Sequence, residues 1–214
     1  MDKTKIKGFI FDMDDTLVES EKLNIRLITD YFLDTWKIEL DDNDKNLVYG
    51  HSWQTIYSEI TKKYSLDISI FDVQDAILER KRKFLQKNKL PVAKGIDKVL
   101  ALPQKKVIVS GSGTKEIQWI LENVGILDKF EAFFSIEDYG KGKPEPDGFL
   151  MGLSYLELNP DEVIVFEDAK SGILSAKRAG IFSVFIREFA ESDCANLADL
   201  AFDTFSDFFD FFSS

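Results

Sequence analysis

The stretch Ile6–Leu17, IKGFIFDMDDTL, constrains this chain more than any other. Phe9, Ile10 and Phe11 form a short apolar run after a lysine-rich start. An apolar run without alternation, cut off sharply by charge, reads as a strand buried on both faces, and such strands belong to parallel sheets. Asp12, Asp14 and Asp15 follow at once, with Thr16 and Leu17 closing the turn. In open α/β sheets, ligands bind at the carboxyl ends of the strands. Carboxylates clustered there either hold a divalent cation, with Asp12 also free to act as a nucleophile, or form a solvated acidic turn. This stretch alone does not separate the two.

The rest of the chain supplies the sheet. Residues 17–91 carry no second strand of this kind. Apolar residues recur at helical spacing in Glu19–Trp36 (Leu23, Leu27, Ile28, Tyr31, Phe32), in Leu47–Tyr64 around Ile56 and Ile60, and in Val73–Leu85 with Ile77, Leu78 and Phe84 inward. From Pro91 onward strands and helices alternate. Strands are expected at Lys106–Ser110, Ala132–Ser135, Val163–Phe166, Ile181–Ile186 and, more briefly, Ala201–Phe202. Helices are expected at Gly95–Leu102, Lys115–Val124, Pro146–Leu156, Ser171–Ala179 and Ser206–Phe212. This alternation implies an α/β fold, a Rossmann-like parallel sheet with helices on both faces. Residues 1–16 and 92–214 are then the core domain. Residues 17–91 are a helical cap domain inserted after the first strand.

Parallel strands deliver their carboxyl ends to one edge. The first brings Asp12 and Asp14, the second Ser110 with the turn Gly111-Ser112-Gly113, the third leads into Lys143, and the fourth brings Glu167 and Asp168. Carboxylates gathered in this way do not all stay ionised without a cation. A set of oxygen ligands favours Mg²⁺, which keeps waters and takes a substrate phosphate as a further ligand. Ser110 and the backbone N–H groups after it, Gly111 included, lie at a helix start and suit phosphate oxygens. Lys143 adds a positive charge to the same group. An aspartate attacking phosphorus gives an aspartyl-phosphate, and Asp14 can protonate the leaving oxygen and later deprotonate water.

Composition restricts the partner. The net charge of −11, from 38 acidic and 27 basic side chains, opposes non-specific binding to nucleic acid or to an anionic membrane. It does not oppose a small phosphorylated metabolite, because a metal and a few aimed donors reverse the local potential. The single Cys194 excludes an internal disulfide and fits a reducing, cytoplasmic setting. No signal peptide or membrane span is expected, and the protein is expected to be a monomer.

The segments FDMDDT, VIVSGS, GKPEPD and FEDAKSGILSAKRAG, in this order, resemble the four motifs of the haloacid dehalogenase superfamily. The helical insert resembles that of its β-phosphoglucomutase-like branch. The resemblance implies Asp12 as nucleophile, Asp14 as general acid and base, Ser110 and Lys143 on phosphate, and Mg²⁺ held by Asp12, Asp168, the Asp14 backbone carbonyl and Glu167. It implies a phosphatase acting on a sugar phosphate or similar metabolite. The alternatives are a phosphosugar mutase and a non-catalytic phosphate-binding regulatory protein on the same fold.

Three departures bear on the choice. Asp15 stands where the family has Gly, in a turn whose backbone angles Asp tolerates. Asn24 stands where the mutases have His, and Trp53 where they have an Arg that grips a second phosphate. Both losses argue against a mutase. Glu19, His51, Trp53 and Lys81 are the remaining candidates for substrate contact. For His51 the bland alternative is an ordinary surface group, and for Trp53 it is the core of the insert. Arg80-Lys81-Arg82-Lys83 otherwise reads as a solvated helix face, although Lys81 resembles a substrate-facing lysine of this branch. The many phenylalanines of the C-terminus are either a helix docked on the sheet or an exposed patch for a partner.

Overall fold

A computed structural model describes residues 2–47 and 53–214. The chain divides into two compact units, Met1–Glu19 with Leu90–Ser214, and Ser20–Lys89. In chain order the elements are β1 (Gly8–Phe11), α1 (Glu21–Trp36), α2 (Asp42–Asn46), α3 (Trp53–Lys63), α4 (Ile70–Leu85), α5 (Ile96–Leu100), β2 (Lys105–Val109), α6 (Thr114–Val124), β3 (Ala132–Phe134), α7 (Asp147–Leu156), β4 (Val163–Glu167), α8 (Lys170–Arg178), β5 (Phe182–Ile186), β6 (Leu200–Phe202) and α9 (Phe205–Ser213). The first unit holds the sheet and the second holds α1 to α4.

All the strand pairs are parallel, in the order β3-β2-β1-β4-β5-β6. The chain builds β2 and β3 on one side of β1, then crosses to build β4, β5 and β6 on the other. The order therefore reverses beside β1, which is where an open parallel sheet leaves a crevice for ligands. Every residue of β1 is buried. On one face Ile10 joins Val107, Val109, Val163 and Val165 under Phe149, Leu153 and Leu156 of α7 and Ala176 of α8. On the other face Phe11 stacks on Phe166 with ring centroids 4.8 Å apart. The rings of Phe205 and Phe208 close over them, Phe208 lying 4.7 Å from Phe166.

The C-terminal phenylalanines thus belong to a docked helix. Thr204 and Asp207 form a capping box at the start of α9, and Phe205 and Phe208 are fully buried. Gly95 is needed where α9 meets the N-terminus of α5. Its φ is +82°, and a Cβ there would lie 2.5 Å from the backbone nitrogen of Ser206.

The division falls at 19/20 and 89/90, inside the expected insert 17–91, because the two crossings are tied to each other and to the turn after β1. Val18 bridges to Asp14 and to Val92. The Ala93 N–H donates to Leu17 O at 2.9 Å and the Glu19 N–H to Pro91 O at 3.0 Å.

In the helical unit, α2 is a short element that the apolar spacing does not reveal. It is set by polar contacts: Asp41 and Asp44 form a capping box, Lys63 bridges both at 2.7 and 2.8 Å, and the Tyr64 hydroxyl donates to Asp44 at 2.6 Å. The expected helix Leu47–Tyr64 is seen from Trp53, and residues 48–52, with His51, lie outside the described residues. The basic run on α4 is not wholly a solvated face. Arg80 pairs with Asp34, and Arg82 and Lys83 pair with Glu79. Lys81, however, is buried, because steps of four place it on one face with Val73, Ile77 and Leu85. Leu78 and Phe84, expected inward, are only half-buried. Among the described residues no helix is long and apolar enough to cross a membrane.

Candidate active site

The crevice beside β1 is lined by strand ends. Asp12 follows β1 directly, and its N–H donates to Phe166 O at 3.0 Å, which seats it next to the end of β4. The last residue of β4 is Glu167, and Asp168 comes next. One carboxylate oxygen from each of Asp12, Glu167 and Asp168 lies within 4.8 Å of the others. Lys143, from the loop between β3 and α7, reaches in from the other side. Its Nζ donates to Asp12 Oδ1 at 2.5 Å and lies 2.6 Å from Glu167 Oε1 as an ion pair. It also donates to Val109 O at 3.3 Å.

Glu167 is fixed by the start of α8, where the N–H groups of Asp168 and Ala169 donate to its Oε2 at 3.2 and 3.3 Å. Its other oxygen packs against Gly172. A Cβ at that position would lie 1.7 Å from Glu167 Oε1, so only glycine leaves room for the carboxylate. Asp168 Oδ1 accepts from the Thr16 hydroxyl at 2.9 Å.

Asp14 stands apart from this group. Its Oδ2 accepts from the Ser110 hydroxyl at 3.0 Å and from the Ser112 hydroxyl at 2.8 Å. Directly after Asp14 the chain turns at Asp15, whose φ is +54°. This is the left-handed region that Asp enters more readily than most residues, so the replacement of the family's Gly is accommodated. Behind Ser110, the Tyr139 hydroxyl donates to its carbonyl at 2.8 Å.

The electrostatics follow from burial. Loss of water raises the pKa of Asp12; Lys143 offsets part of this, while the charges of Glu167 and Asp14 add to it. Asp168 is raised for the same reason, with Glu167, Asp12 and Asp15 adding and the Thr16 hydrogen bond opposing. Burial alone would lower Lys143, but Asp12 and Glu167 outweigh it and hold the ammonium above its ordinary value. Burial pushes Tyr139 up to about 12. Three crowded carboxylates stand beside one ammonium, which pairs with two of them, and the group accommodates further positive charge. Its ligand atoms are all carboxylate oxygens, the donor set that suits a hard divalent cation.

The sequence candidates therefore separate into groups. Asp12, Lys143, Glu167 and Asp168 come together, with Asp14 and Ser110 joined to each other beside them. Gly111 is exposed between the two serines. Glu19 is half-buried at the end of the sheet unit's first segment. Trp53 and Lys81 belong to the helical unit, where Trp53 is half-buried and stacks on Tyr57 with centroids 5.8 Å apart. Ser112, Thr16, Tyr139 and Gly172 are additions. Thr16, Gly172 and Ser112 lie inside the motif segments, Ser112 as the last residue of VIVSGS. Nothing in the sequence marks Tyr139.

The model of the family described as haloacid dehalogenase-like hydrolase matches residues 9–186. Hexitol phosphatase A of Escherichia coli is 27% identical over 211 residues, 92% of this chain and 90% of that protein. Two further matches are local. The validoxylamine A 7′-phosphate phosphatase of Streptomyces hygroscopicus is 39% identical over 80 residues, 37% of this chain and 38% of that protein. The β-phosphoglucomutase of Bacillus subtilis is 35% identical over 92 residues, 42% of this chain and 41% of that protein. Among solved structures, CbbY from Rhodobacter sphaeroides in complex with phosphate superposes with a TM-score of 0.83 at 20% identity, over 94% of this chain and 95% of that one, a likeness of fold. The family match runs from β1 to β5 and takes in every strand end that builds the crevice, so the chain belongs to the haloacid dehalogenase-like hydrolases.

Proposed function

We propose that this protein is a Mg²⁺-dependent phosphatase that hydrolyses a small phosphate monoester, of the sugar or polyol phosphate class, by way of a phosphoryl group carried on Asp12. The observation that carries this reading is the meeting of Asp12, Glu167 and Asp168 within 4.8 Å, with Lys143 Nζ between Asp12 and Glu167. The full-length likeness to a hexitol phosphatase supports the substrate class. The buried Cys194, without a disulfide, is in keeping with a reducing cytoplasmic setting.

Asp12, Glu167 and Asp168 would hold the metal. Bound there, Mg²⁺ supplies a Lewis acid for the phosphoryl oxygens and neutralises charge on them. Asp12 contributes the attacking oxygen, and the bond between phosphorus and the ester oxygen breaks as the new bond forms. Lys143 and the Ser110 hydroxyl hold the phosphoryl oxygens in line. Asp14 gives its proton to the leaving alkoxide, then takes one from the water that attacks phosphorus and frees Asp12. The intact set of reacting groups weighs against a non-catalytic regulator. Asn24 is buried on α1 and donates to Glu21 at 3.1 Å, offering no group that titrates near neutrality, which weighs against a mutase.

The test is release of inorganic phosphate from p-nitrophenyl phosphate and from a panel of sugar and polyol phosphates. Excess EDTA is expected to abolish release and Mg²⁺ to restore it. Equal turnover in excess chelator would overturn the metal assignment, and efficient bisphosphate-dependent interconversion of hexose phosphates would overturn the phosphatase.

A further inference from the structure

We infer that Ser112 is the positioning residue that keeps Asp14 aimed at the leaving oxygen while Ser110 is engaged with the substrate. The inference rests on the phosphatase reading above, in which Asp14 is the general acid and Ser110 a phosphate ligand.

It follows from counting protons at two hydroxyls. Ser110 Oγ accepts from the Ser112 N–H at 3.0 Å and directs its own single proton to Asp14 Oδ2 at 3.0 Å. Ser112 Oγ directs its proton to the same oxygen at 2.8 Å. A serine hydroxyl has one proton to donate. When Ser110 gives that proton to a phosphoryl oxygen, it withdraws it from Asp14. Of the two serine donors on Oδ2, only Ser112 then remains in place.

Ser112 is built to stay. It is 4% exposed. Its N–H is tied to Ser110 Oγ, its carbonyl accepts from the Ile136 N–H at 3.3 Å, and α6 begins two residues later. The backbone on both sides of the side chain is therefore fixed by the ends of β2, β3 and α6. Its hydroxyl approaches Asp14 from the turn that also carries Ser110, so the carboxylate keeps its direction through the exchange. A general acid misaimed by about an ångström loses much of its effect, and such acids contribute ~10²–10⁴-fold.

The test separates aim from structure by the leaving group. The parameter kcat/KM reports the steps through departure of the alcohol, whatever the later rate of dephosphorylation. An alkoxide needs a proton to leave, whereas p-nitrophenolate leaves as the anion. Ser112→Ala is expected to lower kcat/KM for an alkyl phosphate such as glycerol 1-phosphate by about tenfold or more, while p-nitrophenyl phosphate changes by less than about threefold. Ser112→Thr, which keeps the hydroxyl, is expected to restore most of the alkyl activity. Equal losses on the two esters, no loss on either, or a threonine variant as impaired as alanine would overturn the assignment. A wild-type protein that hydrolyses neither ester would overturn the phosphatase reading, and this inference with it.

Discussion

Asp12→Asn is expected to reduce turnover by roughly 10⁴-fold or more while leaving the fold intact. The amide has the shape of the carboxylate and keeps an oxygen toward Lys143. It lacks the negative charge that an attack on phosphorus and the binding of a cation both require. Burial raises the pKa of Asp12 in the folded protein, so the fold bears a cost in holding the group ionised, and the neutral amide does not bear it. Thermal unfolding of the variant is therefore expected at the wild-type temperature or above. Steady-state kinetics on homogeneous protein, beside a melting curve, checks both halves. Activity above a few per cent of wild type would remove Asp12 from the nucleophile's place.

Lys143→Ala is expected to fail in both respects. The Lys143 side chain is 14% exposed, and its ammonium stands 2.5 Å from Asp12 and 2.6 Å from Glu167. Removing one partner from a buried ion pair leaves the other charges uncompensated, at a cost of about 3–5 kcal/mol. Here two carboxylates lose the same partner. Denaturant unfolding is expected to show that loss, and kcat is expected to fall on alkyl and aryl phosphates alike, because Lys143 acts on the phosphoryl group and not on the alcohol. Wild-type stability in this variant would show that the ammonium is not what balances the cluster.

Which strand ends meet at the crevice is legible in the sequence. The strand ends announce themselves as apolar runs that stop at Asp12, Ser110 and Glu167, and parallel strands put such ends on one edge. What periodicity does not give is the lateral order of the strands. That Asp12 lies beside Glu167 follows from β4 pairing with β1, and no residue pattern encodes it. The direction of Asp14 is hidden for a different reason. It follows from two hydroxyls on one oxygen, that of Ser110 and that of a serine two residues past it. Lys81 misleads because charge and spacing disagree. Its neighbours in the basic run are paired on the surface, but steps of four along α4 put Lys81 inside. The short helix α2 is invisible to hydrophobic spacing because polar groups hold it.

The central claim is that phosphate passes through Asp12 before it reaches water, and the stereochemical course at phosphorus tests it most directly. Each in-line displacement inverts phosphorus, so transfer to Asp12 followed by hydrolysis gives two inversions. A phosphorothioate monoester made chiral at phosphorus with one heavy oxygen isotope, hydrolysed in water carrying the other, is predicted to yield chiral inorganic thiophosphate with net retention. Net inversion would mean that water attacks the ester directly, and would contradict the account.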